Sequence, residues 1–385
     1  MIEIQTINNL ASVVYEEFPQ SLYKISSEIT NPDVILVRSA AMHEMIIEEN
    51  LKAVGRAGAG VNNIPLDDMS NHGVVVFNTP GANANAVKEL VISSILLASR
   101  NLCHAWDYVK NLPLENIKKN VENGKKNYAG SELPGKTLGI VGLGAIGVEI
   151  ANTAQSLGMN VIGFDPSITK QNAWRISADV QEVFNIDDLL SKSDFVSFHV
   201  PLVEATKNLL NAERISLLPK NAVVINLSRH GIIDEVALIK ALDSENVKYY
   251  VTDFPVDNNK NHDQVIALPH LGASTSEAED NCVIMVAKQI KDYLENGNIV
   301  NSVNFPEVIM NRAGEARLAI AHKNTSHVVS KITSIIAESG LEVVDMLNKS
   351  RAEVAYTLVD INSKFSNELV ENLIKIEGVL KVRAL

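Results

Sequence analysis

The chain holds 385 residues, 46% of them apolar, with a net charge of −12 and a pI near 5.3, enough for two or three cored domains. The acidic balance argues against a general nucleic-acid or anionic-membrane partner, while leaving room for a local basic pocket that takes an anionic substrate. No basic segment followed by an apolar run opens the chain and no membrane-length apolar stretch occurs, so a cytoplasmic protein is expected. Cys103 and Cys282, the two cysteines, then read as reduced thiols, and the nine histidines lack ligand spacing, so no metal is expected.

In chain order, residues 34–37, 52–56 and 74–77 read as buried strands. A long apolar helix over 86–102 follows the turn-rich segment 79–83. Residues 111–136 are polar and lysine-rich and turn at Pro134-Gly135. Next come a strand over 137–141, the glycine run Gly142-Leu143-Gly144-Ala145-Ile146-Gly147, a helix over 148–157 and a strand over 160–165 ending in Asp165. Further strands read over 194–199, 222–227, 248–252 and 265–268, then a helix over 277–294. Strands alternating with helical segments predict a doubly wound parallel sheet. Residues 307–315 read as a polar linker. Beyond it the order is strand 317–320, helix 325–338, strand 341–346, a turn at Asn348-Lys349-Ser350, strand 354–359, helix 367–376 and strand 379–383. That βαββαβ order is a ferredoxin-like unit.

Strand, glycine turn, helix, strand and carboxylate form a dinucleotide-binding fingerprint. The first glycine permits the turn, the second lets backbone approach a pyrophosphate, and the third lets helix pack on strand. The helix N-terminus then offers free N–H groups to the phosphates. Asp165 can accept both ribose hydroxyls and would repel a 2′-phosphate. No arginine follows in Pro166-Ser167-Ile168, so NAD is favoured over NADP. Arg229 and His270 each stand just after a later strand, where ligands bind in such sheets. An arginine can hold a carboxylate, and a histidine can take a proton beside a carbon that gives up hydride.

The segments Ala57-Gly58-Ala59-Gly60-Val61-Asn62-Asn63-Ile64, Asn78-Thr79-Pro80-Gly81, His199-Val200-Pro201-Leu202, Pro269-His270-Leu271-Gly272-Ala273-Ser274-Thr275 and Ser302-Val303-Asn304-Phe305-Pro306 add to the glycine turn and the Arg229 segment. With them the sequence resembles the D-isomer-specific 2-hydroxyacid dehydrogenases over nearly its whole length. Within that family it is similar to the branch that oxidises 3-phosphoglycerate to 3-phosphohydroxypyruvate for serine synthesis. The resemblance implies two doubly wound lobes, Rossmann-like and flavodoxin-like, with a cleft between them. The substrate-binding lobe would comprise residues 1–90 and 283–306, and the NAD-binding lobe residues 91–282. Residues 316–385 would be an ACT regulatory domain of ferredoxin-like fold.

In this resemblance His270 is the general base, Arg229 holds the substrate carboxylate, and the family's glutamate is absent. Asp257, in Phe254-Pro255-Val256-Asp257, is the nearest carboxylate if one residue is deleted. NAD contacts would come from Gly142, Gly144, Ala145, Ile146, Gly147, Asp165, His199, Pro201, Thr206, Leu227, Ser228, Asp253 and Gly272. Substrate contacts would come from Arg38, Ser39, Gly60, Val61 and Asn83, with Arg38-Ser39 at the family's phosphate position. His322 and Asn324 match effector positions for an amino acid such as serine. Ser326-His327 replaces the usual Pro-Gly there, and Glu342 the usual Asn. A homodimer through the nucleotide lobe, or a tetramer through paired ACT domains, is the family expectation. Two alternatives stand beside this reading: a reductase of hydroxypyruvate, glyoxylate or 2-oxoglutarate, and a non-catalytic NAD-sensing corepressor.

Overall fold

The structure is a computed structural model that describes every residue except Asn9. Its strands form three sheets. The first contains β1 (Ile2–Ile7), β2 (Tyr23–Ser26), β3 (Val34–Val37), β4 (Ala53–Arg56) and β5 (Val75–Phe77), all parallel, in the order β2-β1-β3-β4-β5. The second contains β6 (Thr137–Val141), β7 (Asn160–Phe164), β8 (Gln181–Glu182), β9 (Phe195–Phe198), β10 (Ala222–Asn226), β11 (Val247–Thr252) and β12 (Val265–Ala267). These strands are also parallel, in the order β12-β11-β10-β9-β6-β7-β8.

Helices cover both faces of a parallel sheet, so its central strands carry unbroken apolar runs. Every residue of β3, β9 and β10 is buried accordingly. In each sheet the order reverses once, between β1 and β3 and between β6 and β9. Loops leaving the carboxyl ends on either side of such a reversal diverge, and the crevice they leave is where ligands bind.

The chain divides into two compact units, residues 83–278 and residues 1–82 with 279–385. The first break falls in the turn before helix Ala84–Ser99, which packs on helix Ala145–Ser156 within the unit of residues 83–278. A cut at residue 90 would divide that helix. The apolar run over 86–102 also proves to be two elements, because Asn101 adopts a left-handed conformation (φ 52°) and restarts the chain as helix Leu102–Lys110.

The third sheet is antiparallel, with β13 (Ala316–Lys323), β14 (Val343–Arg351), β15 (Val354–Ile361) and β16 (Val379–Ala384) in the order β14-β15-β13-β16. Helices Val328–Glu338 and Asn367–Ile374 cover one face and share a core with Leu318, Ile320 and Val359. Asn348, Lys349 and Ser350 are strand rather than turn: they pair with Thr357, Tyr356 and Ala355, and the reversal falls at Ala352-Glu353. A one-sided antiparallel sheet alternates buried and exposed residues, yet β13 is buried from Ala316 to His322. Its other face, with Ala319, Ala321, Tyr356 and Leu358, packs on Tyr293, Phe305, Val308 and Met310 of the same unit. Val308 and Met310, within the segment read as a polar linker, are thus part of this core. No helix among the described residues is long and apolar enough to cross a membrane.

Candidate active site

In the unit of residues 83–278, Gly142 follows β6 directly at φ +98°, and a Cβ there would lie 2.5 Å from the His199 carbonyl oxygen. A Cβ on Gly147 would lie 2.0 Å from the Gly142 oxygen. Gly144 has nothing within 4 Å of such an atom among the described residues. The outer glycines therefore allow close packing and the middle one faces open space. Ala145 and Ile146 open helix Ala145–Ser156, whose first N–H groups have no partner within the helix. Leu143 N donates to Asp165 Oδ2 and Ser167 N to Asp165 Oδ1, each at 2.8 Å. Both oxygens keep lone pairs for hydroxyl donors.

His199 follows β9, and its Nε2 lies 2.8 Å from Ser197 Oγ. Its Nδ1 is buried with no partner among the described residues. Desolvation pushes this imidazole down to about 3, so it is neutral at pH 7. Thr206 Oγ1 donates to Pro201 O (2.6 Å) and accepts from Val203 N (2.8 Å). Its hydroxyl braces the turn that carries Pro201.

The ends of β10 and β11 carry the remaining groups. Asn226, wholly buried, accepts from Ser228 Oγ (2.9 Å) and donates to Arg229 O (2.9 Å), fixing the turn after Leu227. Arg229 Nη1 donates to Ser228 O (2.6 Å), and the guanidinium has no carboxylate partner among the described residues. Asp253 is buried, with Oδ2 accepting from Gly272 N (3.1 Å) and Oδ1 without a partner among the described residues. Burial raises its pKa, opposed by the Gly272 N–H and by nearby His270. The exposed His270 ring lies 4.5 Å from that of Phe254 and has no hydrogen-bond partner among the described residues. Asp257 is exposed, and no hydrogen bond or ion pair joins it to His270.

Sequence reasoning missed what holds the Asp257 loop. Asn259, wholly buried, accepts from Val256 N (3.0 Å) and donates to Glu235 Oε2 (2.8 Å), while Tyr250 OH donates to Glu235 Oε1 (2.9 Å). Burial raises the Glu235 carboxyl. In the sequence, Asn258-Asn259 looks like any solvated turn.

In the other unit, Asn8 at the end of β1 adopts φ 71°, and its Oδ1 accepts from Ser39 N (3.2 Å) and Ala40 N (2.7 Å). This shapes the loop after β3. Arg38 there pairs with Glu279 at 2.7 Å. Arg56 was also missed. It ends β4 directly beside Val37 of β3, and its guanidinium crosses Gly58 so closely that a Cβ would lie 1.7 Å from Nη1. Both arginines are close enough to the buried Cys282 thiol to pull its pKa down, although burial dominates and raises it. Gly60 and Val61 lie half-buried on the loop after β4. Asn83 stands at the N-cap position of helix Ala84–Ser99 without a side-chain capping bond, and its Oδ1 is buried without a partner among the described residues.

The matched effector residues are engaged within the third sheet. His322 is buried, with Nδ1 2.8 Å from Lys323 O and Nε2 2.9 Å from Thr357 Oγ1. Asn324 Nδ2 donates to Ala352 O at 3.1 Å. His327 takes the glycine-like conformation (φ 73°) without being a glycine.

Residues 92–272 match the family described as D-isomer specific 2-hydroxyacid dehydrogenase, NAD binding domain. A D-3-phosphoglycerate dehydrogenase of Haemophilus influenzae is 34% identical over 348 residues, 87% of this chain and 81% of that protein. The chain belongs to the D-isomer-specific 2-hydroxyacid dehydrogenase family. The family's NAD-binding domain takes in the glycine turn, Asp165, Arg229, Asp253 and His270. The partnerless Asp253 Oδ1 and the open space over Gly144 fit NAD, whose amide and pyrophosphate would meet them. A D-3-phosphoglycerate dehydrogenase of Methanocaldococcus jannaschii is 37% identical over 303 residues, 76% of this chain and 56% of that one. The chain spans little more than half of that relative, and 59% of the one from Bacillus subtilis. A crystal structure of NAD+-bound 3-phosphoglycerate dehydrogenase from Entamoeba histolytica matches with a TM-score of 0.63 at 29% identity, over 79% of this chain and 98% of that one.

Proposed function

We propose that this chain is an NAD-dependent dehydrogenase that oxidises 3-phosphoglycerate to 3-phosphohydroxypyruvate. The observation that carries the reading is the set of groups on one sheet edge: the Arg229 guanidinium, without a carboxylate partner among the described residues, the His270 ring, without a hydrogen-bond partner there, and the partnerless Asp253 Oδ1. Arg229 clamps the substrate carboxylate through two parallel hydrogen bonds. His270 takes the proton from the C2 hydroxyl. NAD, when bound, accepts the hydride. Asp253 accepts from the nicotinamide amide, and Asp165 accepts from the adenosine ribose. Asp257 stands in sequence for the family glutamate, and in this reading it pairs with His270 once substrate is bound. The Asn259–Glu235 bond holds its loop.

Arg38 and Arg56, at the carboxyl ends of adjacent strands, take the phosphate, with Arg38 exchanging Glu279 for it. Residues 316–385 form the regulatory domain in this reading, and the setting is cytoplasmic. A homodimer through the nucleotide unit is supported by Trp106, Val109 and Leu114, which stand 66%, 49% and 92% exposed on and beside helix Leu102–Lys110.

The test is NADH oxidation with 3-phosphohydroxypyruvate, hydroxypyruvate and 2-oxoglutarate, each with and without serine. Strong preference for the phosphorylated ketoacid, abolished in His270→Ala, is expected. Equal rates with hydroxypyruvate would remove the phosphate role of Arg38 and Arg56. No turnover with any of the three would favour an NAD-binding sensor.

A further inference from the structure

The amino ends of β6, β9, β10 and β11 surround a cavity of about 400 Å3 lined by Lys136, Lys220 and Lys248, with Asp194, Ser131 and Asn221. This is the edge opposite Gly142, Asp165 and Asp253. A strand of this length separates the two edges by roughly 15 Å, so the cavity is no part of the cofactor site. Lys136 pairs with Asp194 at 3.3 Å, but that carboxylate also accepts from Thr137 N at 2.9 Å. Lys220 and Lys248 have no carboxylate partner among the described residues. Lys248 Nζ sits 5.3 Å over the Tyr249 ring, and burial lowers its pKa. Three ammonium groups against one carboxylate leave the cavity with two uncompensated positive charges, in a chain whose net charge is −12.

Like charges gathered in a concave, partly desolvated space repel one another, and a small dianion relieves that repulsion. We propose that this cavity is an anion site for a phosphate group, either inorganic phosphate or the phosphoryl group of a small phosphomonoester, separate from the substrate and cofactor sites. The lysines supply compact charges, and Ser131 and Asn221 add neutral hydrogen-bonding groups that suit the phosphate oxygens.

Thermal unfolding of the full chain tests this in sodium phosphate against sodium chloride at equal ionic strength, with glycerol 2-phosphate as the ester arm. Wild type, Lys220→Met, Lys248→Met and Arg38→Gln are compared. Phosphate should raise the wild-type Tm. The apparent affinity should fall about tenfold or more in each lysine variant and hold in Arg38→Gln. Lys248→Met should unfold in chloride at or above the wild-type temperature, which separates lost binding from a damaged fold. A larger response to glycerol 2-phosphate than to phosphate points to an esterified ligand, and an equal response to inorganic phosphate. A wild-type chain indifferent to both anions overturns the proposal. So does an apparent affinity left unchanged by both lysine substitutions, or a response that disappears in Arg38→Gln, which would place the anion in the substrate pocket. Loss of oligomer in the lysine variants, whatever the phosphate concentration, would assign the cavity to a neighbouring chain's carboxylate and overturn it too.

Discussion

Loss of Arg317 should cost this chain heavily. This residue is fully buried, and all five of its N–H groups are used. Nε and Nη2 meet Asp360 at 2.5 and 2.8 Å, Nη1 donates to Asn296 O and Met310 O, and Nη2 donates to Asn311 O. The last turn of helix Ser276–Asn296 leaves carbonyls without partners inside the helix. Arg317 caps one of them, and Arg383 caps Tyr293 O and Leu294 O at 2.9 and 2.8 Å. Arg317→Met would leave the buried Asp360 carboxylate unpaired and three carbonyls without a donor. Breaking such a pair costs about 3–5 kcal/mol, and with partial rehydration of the carbonyls the total should be about 4–6 kcal/mol.

For a unit of about 190 residues, that is a fall in melting temperature of roughly 8–24 °C. Calorimetry reads it, with NADH affinity as the control, because the nucleotide unit contains none of these groups. Arg317→Met/Asp360→Leu should cost less than Arg317→Met alone, since no charge is then stranded. A single variant melting within about 2 °C of wild type, or a double variant worse than the single, would refute the clamp.

Other expectations follow from single positions. Gly142→Ala places a Cβ 2.5 Å from His199 O at φ +98°, so stability should fall by roughly 2–4 kcal/mol and NADH fluorescence titration should show weakened binding. Burial alone would raise the Asp360 carboxyl, but the Arg317 guanidinium and the Ala313 N–H hold it below the usual range. Its stabilisation is therefore complete above the unfolded pKa of about 3.9 and is lost as pH falls through the folded value. Melting temperatures between pH 5 and 3 should drop more steeply in wild type than in Asp360→Asn. His327→Gly should gain about 1 kcal/mol in urea unfolding, because a left-handed φ of 73° is costly for any residue with a Cβ. An unchanged or lower midpoint would show that the histidine side chain offsets that strain.

The candidate cofactor residues were legible because the chemistry proposed for them is local. Gly142, Gly144, Gly147 and Asp165 lie within one βαβ stretch, and backbone constraints on a tight turn admit few residues. Arg229 and His270 were legible as candidates because each follows a strand by a few residues. Arg56 was not: the role proposed for it depends on β4 lying beside β3, which only strand pairing decides. Glu235 and Asn259 are 24 positions apart, and nothing in either neighbourhood signals their bond. The turn assigned to Asn348-Lys349-Ser350 shows the same limit, because residues of turn-forming type become strand when a partner strand supplies their hydrogen bonds.

Apolar periodicity, glycine spacing and charges placed just after strands are properties of neighbouring residues, so the sequence by itself determined the doubly wound parallel pattern, the βαββαβ order of residues 316–385, the dinucleotide turn and the candidate acid–base residues, while the division of the parallel strands into two sheets came as an implication of the family resemblance. Tertiary structure alone decided which face of β13 is covered, which carbonyls Arg317 and Arg383 cap, and that residues near 308–310 are core. Those outcomes rest on contacts between segments tens to hundreds of residues apart. Burial turns an arginine that reads as a solvated charge into the one group able to satisfy several backbone oxygens at once.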